Sequence, residues 1–364
     1  MNIKTIAILL PCWLILLCLS GCGHKPYTRQ YKIALVHSYE EGYPDAERTR
    51  RLLCEALAKR GLSCDFREYF LNCDGLLSDK EEEFCSDFID DFTRWGAHLV
   101  AVLDDQATYS LMACGNPLLH DLPVVFSGVN YPNRQLLERY PNVTGYADAP
   151  DYLNTVRMLE RIMGKSRVCV INRNNVLDRF IWEDLMTQFD GQGYEIYCGR
   201  VGMHVSTHRK LGDDLPSLVP GVNWENERFD TTAIVRLNSD SLSLTQVAWT
   251  GYGSRTLCLF THRNFITVHS ASFFQNPCFA TVNKGFGLSD YALGGYFATI
   301  ETQLDDMGQG IAERLRGRMP AEQVRYCAKR YVVNWHVLQR YGIPLSCIPK
   351  EYTIMYMPFT ERYR

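Results

Sequence analysis

Short apolar runs, each closed by a small polar cluster, recur along the chain. Two set the pattern. His98-Leu-Val-Ala-Val-Leu103 is followed by Asp104-Asp105-Gln106-Ala107-Thr108, and Leu122-Pro-Val-Val-Phe126 by Ser127-Gly128-Val129-Asn130-Tyr131-Pro132. A Val-rich run bounded by turn residues predicts a strand buried on both faces, as in parallel sheets. Ligands of open α/β sheets bind beyond the carboxyl ends of the strands, so both clusters are candidate walls of one site.

The remaining pattern alternates strand and helix. Tyr31 to Val36 predicts a first strand, released into His37-Ser38-Tyr39-Glu40-Glu41-Gly42-Tyr43-Pro44. Asp45 to Arg60 has helical spacing at Leu52, Leu53, Ala56 and Leu57, with Gly61 as the stop. Cys64 to Phe70 predicts a second strand. Asp79 to Trp95, opened by Ser78, predicts an amphipathic helix with Phe84, Phe88, Ile89 and Phe92 on one face. The two opening runs follow as third and fourth strands, and this β-α-β-α-β-β order predicts a parallel, doubly wound sheet.

A second unit of the same kind begins near residue 148. Its predicted elements are a helix over Asp151–Met163, a strand over Ser166–Ile171, a helix over Phe180–Phe189 and a strand over Tyr194–Cys198. Thr232–Leu237, Thr256–Phe260 and Phe265–Val268 add three further strands, while residues 204–230 show no clear period. The strand ends release Asn172-Arg173-Asn174-Asn175 and Asn238-Ser239-Asp240-Ser241.

Ahead of the first strand, residues 1–22 have the plan of an export segment. Lys4 gives the positive start, and Ile6 to Leu19 an apolar stretch too short to span a bilayer comfortably. It ends in Leu19-Ser20-Gly21-Cys22, the pattern of a bacterial lipobox, whose cysteine thiol is acylated. Several acyl chains on Cys22 hold a protein on a membrane stably, where one chain holds it marginally. Residues 23–30 then form a tether, and the expected location is the cell envelope, on a membrane and facing the periplasm or exterior.

Composition narrows the class. Hydrophobic residues at 46% and charged residues at 22% are those of a globular protein. A net charge of −3 on 364 residues points to neither nucleic acid nor an anionic membrane as the partner. Of fourteen cysteines, Cys12, Cys18 and Cys22 belong to the export segment, and an odd number remains. Cys64, Cys73 and Cys85 fall in polar stretches and are candidates for pairing in an oxidising compartment. There is no Cys-x-x-Cys, so a thioredoxin or zinc-ribbon reading has no support.

A resemblance then enters, carried by several motifs in order. They are Leu122 to Pro132, Asn142-Val143-Thr144-Gly145, Val282-Asn-Lys-Gly-Phe-Gly-Leu-Ser-Asp-Tyr-Ala-Leu-Gly-Gly295, and Val333-Asn334-Trp335 to Tyr341-Gly342-Ile343-Pro344. Behind a lipobox, this set resembles the ABC transporter substrate-binding proteins that include the tryptophan/tyrosine-type binding lipoproteins, over roughly residues 31–350. The resemblance implies a type I periplasmic-binding-protein fold, with two doubly wound parallel-sheet lobes joined by three crossovers and closing by hinge motion. It places lobe I at 31–147 plus 273–320 and lobe II at 148–272 plus 321–358, with a helix from Leu288 to Leu315 in lobe I. Where the family loop reads Val-Thr-Asp-Pro, this chain has Val129-Asn130-Tyr131-Pro132, and residues 199–231 exceed the common length.

Candidate ligand-binding residues follow from the strand ends and from that resemblance. In the first lobe they are Ser38, Tyr39, Tyr43, Asp104, Asp105, Ala107, Thr108, Ser127, Gly128, Asn130 and Tyr146. In the second they are Asn172, Asn174, Asn238 and Asp240, with Gly285 and Gly287 at a crossover. Helix N-termini offer N–H groups to an anion, an aspartate suits an ammonium or a helix cap, and tyrosines suit a planar body. Asn and Asp also serve simply as turn residues. No catalytic set is found: His204-Val-Ser-Thr-His208 lacks the glutamate of a zinc hydrolase, and no Gly-x-Ser-x-Gly elbow occurs. The expectation is a binding protein without cofactor or metal, delivering a small amino-acid-like or planar molecule to an ABC permease. The alternative is a sensor of the same fold signalling to a membrane kinase or other partner.

Overall fold

Alternate residues of the first strand enter two different cores. In β1 (Gln30–His37), Ala34 and Val36 pack on one side of the sheet, and Ile33 and Leu35 on the other. This period of two is what a strand buried on both faces requires. The computed structural model describes residues 30–43, 45–73, 78–164, 166–172, 176–194, 196–200, 255–260, 278–281 and 292–358.

The first sheet has the order β11-β5-β4-β3-β1-β2, with every pair parallel. Its other strands are β2 (Ser63–Phe70), β3 (Leu99–Leu103), β4 (Val124–Val129), β5 (Val143–Ala147) and β11 (Val324–Tyr326). On one face lie α2 (Ser78–Trp95) and α3 (Asp104–Ala113), supplying Ile89, Phe92, Leu111 and Met112 to the core. On the other lie α1 (Ala46–Lys59) and α7 (Ile300–Leu315), supplying Leu53, Leu57, Leu304, Met307 and Ile311. α4 (Arg134–Glu138) is a short turn between β4 and β5.

The second sheet has the order β13-β12-β10-β9-β8-β6-β7. Its strands are β6 (Ser166–Asn172), β7 (Ile196–Arg200), β8 (Arg255–Phe260), β9 (Cys278–Phe279), β10 (Ala292–Phe297), β12 (Arg330–Asn334) and β13 (Thr353–Met355). All its pairs are parallel except β10 with β12. Within each lobe the first five strands run 2-1-3-4-5 in space, the doubly wound order whose switch point lies between strands 1 and 3. Helices α5 (Tyr152–Met163), α6 (Val176–Phe189) and α8 (Trp335–Arg340) belong to this lobe, around Val156, Leu159, Leu185, Leu293, Val333 and Val337.

The chain passes between sheets three times: after Ala147, at Ala298–Thr299, and between Tyr326 and Arg330. The passages meet where Tyr146, Ala298 and Cys327 form one buried cluster and the Cys327 N–H donates to Ala147 O at 2.9 Å.

Several sequence expectations are corrected here. β9 and β10 belong to the second sheet, so the return to lobe I falls at 298–299 and not at 273; β11 belongs to the first, so the last departure follows Tyr326 and not residue 320. The helix expected over Leu288–Leu315 begins only at Ile300, capped by Thr299, because Ala292–Phe297 is a strand. Asp104–Ala113 is a helix that the β-α-β-α-β-β order leaves out, and its N-cap is Leu103 rather than Asp104 or Asp105; Val143–Ala147 is a fifth strand. Phe84 is exposed rather than core-facing, and Cys85 is fully buried rather than polar in its surroundings. The strands expected over Thr232–Leu237 and Phe265–Val268 lie outside the described residues.

Candidate functional site

The switch point of the first sheet opens between the ends of β1 and β3. The chain leaves β1 into a loop, while β3 turns at once into α3. A cavity of about 60 Å³ lies between them, enough for a few waters or the head group of a ligand. Ser38, Tyr39, Glu40 and Tyr43 from the β1 loop form one wall, and Asp45 and Thr49 at the start of α1 another. Leu103 and Asp104 close a third side, and Ile300, Gln303 and Leu304 of α7 form the last. α7 comes from the second crossover, so the cavity is built from segments far apart in sequence.

The β1 loop is fixed by Ser38. Its Oγ donates to Leu103 O at 2.8 Å and accepts the Ala107 N–H at 2.9 Å, tying β1 to both β3 and α3. One orphan N–H of the α3 terminus is thereby satisfied inside the protein. Thr108 Oγ1 donates back to Asp104 O at 2.6 Å, the ordinary helix back-bond. Asp105 accepts the Asn130 N–H at 3.1 Å and the Tyr131 N–H at 3.2 Å, holding the loop after β4. Ser127 Oγ donates to Gln303 O at 3.3 Å, and Gln303 Nε2 donates to the buried Asp148 at 2.6 Å. These residues of the sequence-derived set assemble the wall and are occupied in doing so.

Asp104 stands out by its backbone. Its φ is +72°, a conformation L residues other than Asn and Asp rarely adopt, and its side chain crosses to Gly128. Gly128 itself has φ +75°, and a Cβ there would sit 2.6 Å from Asp104 Oδ1. The glycine therefore serves both the turn and the approach of the carboxylate. Tyr39 and Tyr43 stack with centroids 4.5 Å apart and planes 14° from parallel. His37, at the end of β1, also lines the cavity; it stacks on Phe70 at 4.6 Å and its Nε2 lies 3.1 Å from Glu68 Oε1.

Tyr131 leaves the wall and reaches the other lobe. Its hydroxyl lies 2.8 Å from that of Tyr152 on α5, and its ring centre is 6.2 Å from Phe180 on α6. Burial pushes the Tyr131 phenol well above the usual range, with Tyr152 and the Asp184 carboxylate adding to the rise. Tyr109 donates to Tyr131 O and accepts the Asn133 N–H at 3.0 Å, so the backbone of this loop is anchored too.

Tyr146 is not at the cavity. It points to the α7 face of the sheet, where the Arg325 guanidinium lies 4.2 Å from its ring centre. Asn172 ends β6 beside Arg200. Asn174, Asn238, Asp240, Gly285, Gly287 and the candidate lipidation site Cys22 lie outside the described residues. The sequence reading missed Glu40, Asp45, Thr49 and Gln303. Glu40 and Asp45 sat in or beside a loop already marked as a strand end, and Thr49 lay inside the helix read over Asp45 to Arg60; Gln303 had no local signal, because only the second crossover brings it here. Among the described residues no group of three metal-ligating side chains gathers.

No family model and no curated relative matches the chain. Solved structures do. The ABC domain in complex with L-Trp from Streptococcus pneumoniae superposes with a TM-score of 0.57 at 15% identity, over 89% of this chain and 100% of that one. The ligand-free, open form of a substrate-binding protein with adhesive properties from Clostridium difficile gives 0.60 at 12% identity, over 90% and 100%. A conserved domain protein from Vibrio cholerae gives 0.58 at 14% identity, over 90% and 99%. Two doubly wound lobes joined by three crossovers, matched over almost the whole length of such structures, are the type I periplasmic-binding-protein fold.

Proposed function

We propose that this chain is a solute-binding protein that captures a small molecule between its two lobes and delivers it to an ABC permease. The observation that carries the reading is the cavity at the β1/β3 switch point, closed by a helix that arrives from the second lobe. Such a placement makes ligand contact and lobe position interdependent, which is what capture by hinge closure needs. The L-Trp complex and the open substrate-binding protein among the structural neighbours support the same role. Cys22 would carry the lipid anchor at the cell envelope, and the ligand would leave chemically unchanged.

The test is thermal stability of the purified protein against pooled metabolites, with scattering on any hit. A ligand that binds only the folded protein raises its apparent stability by mass action. The expected result is a raised midpoint, a more compact particle and an unaltered solute on recovery. Conversion of the solute would replace the reading by catalysis, and no stabilisation by any pool would remove it.

A further inference from the structure

The tether expected after Cys22 joins lobe I at one end only. All six strands of the first sheet are parallel, so Gln30 and the starts of the other five lie together, at the end of the lobe opposite the cavity. However the chain from Cys22 to Gln30 is arranged, it spans at most about 28 Å. An acylated Cys22 therefore keeps this end of the lobe close to lipid.

The surface presented there is basic on both sides of β1. Ahead of β2, Lys59 is exposed, and the neighbouring Arg60 O accepts from Arg316 Nη2 at 2.7 Å. Arg316, Arg318 and Met319 follow α7 and are all exposed, Met319 at 53%. Ahead of β3, Arg94 is exposed, and Trp95 has the Lys32 and Arg67 cations at 5.4 and 4.7 Å from its ring centre. Among the described residues Lys59, Arg316 and Arg318 have no ion-pair partner, and Arg94 reaches only Asp91, at 3.8 Å. The exposed acids in or beside these loops, Asp121, Glu138 and Glu322, precede β4, β5 and β11, farther from β1 across the sheet. A net charge of −3 for the whole chain thus conceals a local excess of cations where the tether leaves. Arginine and lysine reach head-group phosphates from such a surface, while tryptophan and an exposed apolar side chain settle at the interface between head groups and acyl chains.

We propose, resting on the lipid anchor of the proposed function, that lobe I docks on an anionic lipid surface through this end. Lys59, Arg94, Arg316 and Arg318 meet the phosphates, and Trp95 and Met319 sit at the interface. β1 then rises from the bilayer, and the cavity at its far end stands roughly 25 Å above the lipid and faces away from it.

The experiment is hydrogen exchange on the full acylated chain, purified from membranes and placed in vesicles of phosphatidylcholine alone or of phosphatidylcholine with phosphatidylglycerol. Amides of residues 59–62, 94–98 and 316–320 should exchange roughly tenfold more slowly on the anionic vesicles and lose that protection in high salt. Residues 38–43, at the other end of the lobe, should exchange alike on both. The double variant Arg316→Gln, Arg318→Gln should remove most of the difference without moving the melting midpoint, since both side chains are exposed. The double variant Lys59→Gln, Arg94→Gln gives an independent second reading, with the same loss expected. Equal exchange on the two vesicles overturns the proposal, as does protection centred on 38–43 or lipid-dependent protection unchanged in both variants. The mass of the peptide bearing Cys22 is read from the same sample. An unacylated Cys22 overturns the anchor and the docking with it. Acylation without protection at these loops overturns the docking alone and leaves anchor and solute capture standing.

Discussion

The hydroxyl of Tyr131, on the loop after β4, meets the hydroxyl of Tyr152, at the start of α5, at 2.8 Å. This contact joins the two lobes at the position where the resembling family carries an acid. Tyr131→Phe keeps the ring against Phe180 and removes the bond, so it should cost about 1 kcal/mol of stability, as a single net hydrogen bond does. The ligand-free protein should also sample more separated lobes, visible as a larger radius of gyration in solution scattering. An unchanged denaturation midpoint together with unchanged dimensions would refute the role.

Asp104 and Gly128 form a second interdependent pair, both at positive φ. Gly128→Ala puts a Cβ in the left-handed region and against Asp104 Oδ1, and should destabilise by about 1–2 kcal/mol. Asp104→Gly does the reverse for the backbone. It relieves the unfavourable φ, so the denaturant midpoint should hold or rise even as the carboxylate is lost from the cavity. A stability held below its maximum at one residue is the usual sign of a conformation kept for binding. A clear fall in midpoint for Asp104→Gly would show instead that the carboxylate is mainly a structural fastener.

How far the sequence carried this picture differs between fold and site. Val-rich runs such as Leu99–Leu103 and the Val124-Val125-Phe126 start of β4 announced themselves because burial on both faces leaves no polar position within them. β5 escaped because Val-Thr-Gly-Tyr-Ala is short and mixed, and becomes a strand through pairing on both sides with β4 and β11. α3 escaped because its polar first turn reads as a loop and its helix is buried with no clear polar face. The β1 and β3 strand ends were legible as walls, since turn residues mark them directly. What those residues do was not legible: Ser38 and Asp105 face backbone N–H groups that only the folded register supplies, and Gln303 arrives by a crossover.

Gly295 in β10 is fixed by close approach of its neighbour. A Cβ there would lie 1.8 Å from Ala280 O, which no rotamer change relieves because the clash is with backbone. The strand sits between β9 and β12, so widening one side opens both ladders. Gly295→Ala should therefore cost about 3 kcal/mol or more, at the upper end of overpacking effects. Hydrogen exchange checks it by location: amide protection should fall across β10 and β12 while β3 and β4, in the other sheet, keep theirs. Uniform loss in both sheets would mean that the lobes unfold as one unit.

Asp184 on α6 makes the pH dependence of the interlobe contact testable. Its carboxyl is held above the usual value of 3.8, first by burial and then by Asp151, against the opposing pull of Gln188 and Lys329. Gln188 Nε2 donates to it at 2.9 Å, and Gln188 Oε1 in turn accepts the Tyr152 N–H at 2.8 Å, so the carboxyl stands behind the Tyr131–Tyr152 contact. A folded value above the unfolded one means that folding favours the protonated acid. Its contribution to stability is fully present below pH 3.8 and is lost as pH rises through the raised folded value. Asp184→Asn keeps an oxygen acceptor for Gln188 and has no proton to lose. The variant should melt higher than the parent at neutral pH, with the difference shrinking steadily as pH is lowered towards 4. Melting curves across that range check the sign, and a difference that grows on acidification would show that the ionised carboxylate stabilises the fold through Lys329 more than burial penalises it.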